Sequence, residues 1–103
     1  MENKIPEKPN DEYKGLILVA DDEERNRRML KDMLVFNGYR VTEAVDGEDA
    51  VEKTVRVMPD VALLDVMMPK MDGYEVCRRI KANPETEAIP VLMVTVLSDH
   101  KDL

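Results

Sequence analysis

The chain has 103 residues, 44% of them hydrophobic and 36% charged, which suits one folded domain and leaves no room for a second. A formal net charge of -7 repels phosphates, so nucleic acid and anionic membranes are poor partners and a cation is the better-matched ligand. No apolar run approaches the ~18 residues of a membrane span, and the opening MENKIPEKPNDEYK is unlike a signal peptide; the expected address is the cytoplasm.

Residues 1–13 carry Pro6 and Pro9 without a hydrophobic period and are expected to form a flexible leader, with the folded domain spanning 14–103. GLILVA, Gly15 to Ala20, is apolar without alternation, as in a strand covered on both faces, and it runs into DDEE. From Glu24 to Asn37 a helical stripe of Met29, Leu30, Met33 and Leu34 is expected to face the core, with Arg25, Arg27, Arg28, Lys31 and Asp32 elsewhere around the helix. Asn37-Gly38 stops that helix.

YRVTEA, Tyr39 to Ala44, alternates like a strand with one wet face. DGEDAVEKTVRV follows as a helix with Ala50, Val51, Thr54 and Val55 inward, closed by Pro59. VALLD is a second buried strand. Pro69 and Asp72-Gly73 shape a loop, with Asp72 placed to cap a helix from Tyr74 to Ala82 that turns Val76, Cys77 and Ile80 inward. Met67, Met68 and Met71 read as gap fillers of that loop and the core beside it. Pro84 and Pro90 bracket another loop, and VLMVTV, Val91 to Val96, is a fourth strand.

Cys77 is the single cysteine, which leaves neither a disulfide framework nor a thiolate metal cluster and suggests a small buried hydrophobe. His100 has no second histidine at ligand spacing and is expected in solvent. Strands alternating with helices specify an α/β fold, a doubly wound parallel sheet with helices on both faces. In such sheets ligands bind outside the carboxyl ends of the strands. The first strand ends in Asp21-Asp22, the third in Asp65 and the fourth in Thr95, so three carboxylates and a hydroxyl should converge on one rim.

Clustered carboxylates repel, and a hard divalent cation resolves the conflict. Mg²⁺ takes octahedral oxygen ligands, usually one or two carboxylates with water and phosphate oxygens. Asp22 and Asp65 are candidates for direct ligation, with Asp21 acting through water. The remaining oxygen of Asp65 is placed to attack a phosphoryl donor, as Asp does in aspartyl-phosphate chemistry, and the Thr95 hydroxyl to donate to a phosphoryl oxygen.

The stretches LILVADDEERNRRML, VALLDVMMPKMDGYEV and IPVLMVTVLSD together closely resemble receiver (phosphoacceptor) domains of two-component response regulators, over roughly Lys14 to Leu103. The resemblance implies a flavodoxin-like sheet of order 2-1-3-4. It also implies that Asp65 accepts a phosphoryl group from a phosphohistidine on a histidine kinase or phosphotransfer protein. Asp21, Asp22 and Asp65 would hold Mg²⁺ with the backbone carbonyl of Met67, and Thr95 would be the switch hydroxyl. Arg25, Asn26 and Met29, at the amino end of the first helix, would help dock the donor. LSDHKD after the fourth strand looks like receivers attached to diguanylate cyclase domains.

A receiver ordinarily continues into a further helix, a fifth strand carrying a lysine, and a last helix, and these are missing from this chain, which on that reading is incomplete at its carboxyl end. Lys70 and Lys81 lie in the wrong elements to replace the lysine. VLMVTV would then be an apolar edge strand, so a chain ending at Leu103 is expected to form a homodimer or swapped oligomer. Val96 stands where receivers have a small residue and should narrow access to Asp65. The alternative is a truncated receiver serving as a non-phosphorylated interaction or dimerisation module, which the missing lysine favours. A phosphohydrolase would want an acid/base where Met67 stands. No activity beyond aspartyl self-phosphorylation is expected.

Overall fold

The computed structural model describes residues 12–95. Residues 1–11 of the expected leader, Val96, His100 and the LSDHKD segment lie outside the described residues. The elements follow the order expected: β1 (Leu16–Ala20), α1 (Glu24–Phe36), β2 (Arg40–Ala44), α2 (Gly47–Val57), β3 (Val61–Leu64), α3 (Gly73–Ala82) and β4 (Val91–Met93). They form one parallel sheet of order β2-β1-β3-β4.

The helix boundaries are chemical. Asn37 caps α1 and Gly38 takes φ +96, a conformation glycine enters at little cost. Asp46 and Asp72 each accept a hydrogen bond from the backbone N–H three residues on, Asp49 and Glu75, so α2 and α3 both begin on a side-chain cap. Met58 closes α2 in the left-handed region immediately before Pro59.

Successive strand residues point to opposite faces, and the two faces of this sheet are covered unequally. On one, Leu18, Ala20, Ala44, Ala62 and Leu64 pack with Ala50 of α2 and with Val76 and Ile80 of α3, and Val91, Met93 and Cys77 complete the cluster. Met68 and Met71 are buried in it, as gap fillers should be, whereas Met67 is exposed. The other face holds α1. Along its row of register partners Val19 is fully buried, Leu63 half-buried and Leu92 56% exposed, so cover fades away from the helix.

That asymmetry corrects the expected burial of α1. Met29 and Met33 are exposed, Leu30 and Leu34 only half-buried, and Phe36 is 82% exposed. The stripe has the right period, but half of it overhangs the sheet rather than resting on it. Val55, expected inward, is likewise exposed on α2. Burial then sets what each side chain contributes. Leu64→Ala is expected to cost about 2–5 kcal/mol in urea unfolding, as cavity-forming core substitutions do. Phe36→Ala should stay within about 0.5 kcal/mol of wild type.

Candidate functional site

The strand ladders run one residue past the regular strands at the rim. Asp21 N–H donates to the Ala44 carbonyl (3.2 Å), Asp65 N–H to the Ala20 carbonyl (2.9 Å) and Val94 N–H to the Leu64 carbonyl (2.8 Å). The backbones of Asp21 and Asp65 are therefore fixed by the sheet itself, at the carboxyl ends of adjacent buried strands. Asp21 is 1% and Asp65 2% exposed, while Asp22 faces solvent.

Short turns orient the carboxylates. Glu23 N–H donates to Asp21 Oδ1 (2.9 Å) and Met67 N–H to Asp65 Oδ1 (3.4 Å), each from two residues further on. The chain after Asp65 must return tightly. Gly73 N–H bonds the Val66 carbonyl (3.0 Å), and a Cβ on Gly73 would lie 2.5 Å from the Asp65 carbonyl oxygen. A Cβ on Gly47, at the start of α2, would lie 2.6 Å from the Met71 carbonyl oxygen. Two glycines thus let α2 and α3 close on the loop that follows Asp65.

The result is a cluster in which one carboxylate oxygen from each of Asp21, Asp22 and Asp65 lies within 4.8 Å of the others. The donors are all hard oxygens, with no histidine or thiolate in the group, and that set fits Mg²⁺ rather than Zn²⁺. Met67 sits beside Asp65 in the loop. Thr95 is exposed, two residues beyond the end of β4, since the regular strand stops at Met93 rather than at Val96. Of the residues expected to meet a donor protein, Arg25 and Met29 are exposed. Asn26 is not: it is 4% exposed and its Nδ2 donates to Glu23 Oε1 at 2.8 Å, so it shapes the acidic turn from within.

Two residues at the site escaped the sequence reading. Arg27, expected merely on the polar side of α1, is 88% shielded at its side chain and donates from Nη1 to the Asp21 carbonyl (2.8 Å) and from Nε to Glu43 Oε1 (3.3 Å). Glu43 on β2 is its anchor. The one available signal was an arginine and a glutamate flanking the expected acidic rim, too common a pairing to single out. Outside the cluster, Arg78 and then Arg79 hydrogen-bond Glu75 on the first turn of α3 and hold its carboxyl at about 2, below the ordinary 4.5.

Similarity to known proteins agrees with this geometry. The response regulator receiver domain family matches residues 17–103. The response regulator PleD of Caulobacter vibrioides is 48% identical over 86 residues, covering 84% of this chain. The probable transcriptional regulator ycf27 of Guillardia theta is 43% identical over 91 residues, covering 88% of it. The chain spans only 19% of the length of the first and 35% of the second. Among solved structures, the N-terminal domain of a response regulator receiver protein from Methanoculleus marisnigri JR1 superposes with a TM-score of 0.78 at 42% identity, over 84% of this chain and 72% of that one. The receiver domain of a sensor histidine kinase from Pseudomonas aeruginosa PAO1, described with a magnesium ion coordinated in its active-site cleft, superposes with a TM-score of 0.76 at 32% identity, over 85% and 74% of the two chains.

Crowding of the three carboxylates has a measurable consequence. Asp65→Asn is expected to raise stability in metal-free buffer, by on the order of 1 kcal/mol, because it removes one of the mutually repelling charges. Urea unfolding with a chelator present checks this. A mutant less stable than wild type under those conditions would show that repulsion is not the governing term.

Proposed function

The chain belongs to the response regulator receiver family, and from that membership we propose that it is a phosphoacceptor switch in which Asp65 takes a phosphoryl group from a phosphohistidine. The donor would be a histidine kinase or phosphotransfer protein. The observation that carries this reading is the gathering of Asp21, Asp22 and Asp65, with ligand atoms within 4.8 Å, at the carboxyl ends of β1 and β3. In the transfer, a carboxylate oxygen of Asp65 attacks phosphorus, the P–N bond of the donor breaks, and its electron pair leaves with the imidazole nitrogen.

Asp21, Asp22 and Asp65 would hold Mg²⁺ together with the Met67 carbonyl. When bound, the ion supplies positive charge against the phosphoryl oxygens. The chain's own residues do the remainder. Burial of Asp65 restricts water around the nucleophile, the sheet fixes its direction, and the turn through Met67 N–H orients the carboxylate. Thr95, two residues beyond β4, would donate its hydroxyl to a phosphoryl oxygen. In support, Asp21 and Asp65 directly follow β1 and β3, Asp22 is next to Asp21, and one structural neighbour, a sensor histidine kinase receiver domain, is described with magnesium in its active-site cleft.

Incubation with acetyl phosphate is expected to label the protein in a Mg²⁺-dependent manner, and Asp65→Asn or chelation to abolish labelling. A folded wild type that neither takes label nor binds beryllofluoride would refute the switch. A second reading, an interaction module, draws on a specific observation: α1 exposes Met29, Met33 and Phe36, and Leu92 is exposed on β4, the edge strand among the described residues. A polypeptide of these 103 residues is therefore expected to self-associate, as a homodimer or swapped oligomer. Sedimentation equilibrium over a concentration series checks it, and a monomer throughout counts against the dimer.

A further inference from the structure

Arg27 occupies an unusual place for a cation. Its side chain is only 12% exposed, and its guanidinium reaches back from α1 to the Asp21 carbonyl at 2.8 Å, behind a cluster that is itself suited to binding a positive ion. Its Nε is held by Glu43 Oε1 at 3.3 Å. Glu43 is in turn fixed on both sides: Lys31 Nζ meets its other carboxylate oxygen at 3.3 Å, and Lys53 Nζ donates to its backbone carbonyl at 2.6 Å while pairing with Asp49 at 3.2 Å. The guanidinium is thus a planar fork tying α1 and the β2 edge to a peptide just beyond the end of β1.

That peptide joins Asp21 to Asp22. Its carbonyl lies between the two Cα atoms, so a donor that fixes the carbonyl fixes the peptide plane and, with it, the directions in which both carboxylates leave the backbone. We propose that Arg27 is a positioning residue for the cation site, setting the separation of the Asp21 and Asp22 carboxylates through the Asp21 carbonyl. This rests on the reading of the acidic cluster as a Mg²⁺ seat. Charge cannot be what Arg27 contributes there, since a nearby positive group weakens cation binding. Geometry and charge therefore predict opposite signs.

The test uses Mn²⁺ as the probe, titrated into the full chain and followed by the loss of its free electron paramagnetic resonance signal. Arg27→Met is expected to weaken binding ~10-fold, the lower end of what loss of a group orienting metal ligands costs. Arg27→Lys, which keeps a donor within reach of the carbonyl, should recover most of that loss. Glu43→Gln removes the ion pair but leaves the bond to Asp21, and should stay within about twofold of wild type, as for a partly exposed ion pair. Binding by Arg27→Met as tight as wild type or tighter overturns the inference, as does an equal loss in Glu43→Gln, which would mark general loosening. Circular dichroism verifies folding, and Arg27→Gln, a smaller change with the same expected sign, decides the matter where the methionine variant does not fold. No Mn²⁺ binding by wild type would instead overturn the cation-site reading on which the inference stands.

Discussion

Three like charges are held together at the rim of this sheet, and much of the surrounding structure works against their separation. Coulomb repulsion between carboxylates at such distances runs from about 1 kcal/mol per pair where water screens it to roughly a few kcal/mol where it does not. A loop would relax to relieve it. Here Asp21 and Asp65 follow directly on adjacent parallel strands whose ladder continues through their own N–H groups, so relief would require breaking backbone hydrogen bonds of buried strands. Asp22, the exposed member, is where solvent screens the remaining charge.

The same constraint explains the glycines and the buried loop. A strand that ends in a clustered carboxylate needs its chain removed at once, or the next residues would cover the candidate site. Pro69 and Lys70, the latter at φ 69, turn the chain, and Met68 and Met71 anchor the turn in the core. Gly73 permits α3 to start against the Asp65 carbonyl and Gly47 permits α2 to start against the Met71 carbonyl. The loop is consequently held from three sides, which gives Asp65 a rigid position at the cost of local backbone freedom.

How much of this could be read from the residues differs by kind of information. Strand and helix order, the caps at Asp72 and Asn37, and the three aspartates at strand ends were legible because each rests on local chemistry or on a rule of topology. What failed was burial on α1. Periodicity says that Met29, Leu30, Met33 and Leu34 share a face, but not how far that face extends beyond the sheet, and this depends on which elements lie beside α1. Asn26 and Arg27 failed for a related reason. Both are polar residues on the first two turns of a helix, ordinarily solvated, and only the three-dimensional closeness of that helix to the acidic turn makes them part of the site.

Rigidity on one side of Asp65 also limits where a response to phosphorylation can go. A modified Asp65 shifts a population only if two conformations differ in how well they accommodate the added group. β3 and the loop after it are pinned by the sheet, by Gly73 and by buried methionines, and offer few alternatives. Arg27 and the charges around Glu43 brace the opposite flank at β2. The rim beyond β4 is held differently: after the bond from Val94 N–H to the Leu64 carbonyl, the chain reaches Thr95 exposed to solvent. In the proposed switch, the new phosphoryl oxygens would therefore draw on the hydroxyl of Thr95, which lies exposed beyond β4.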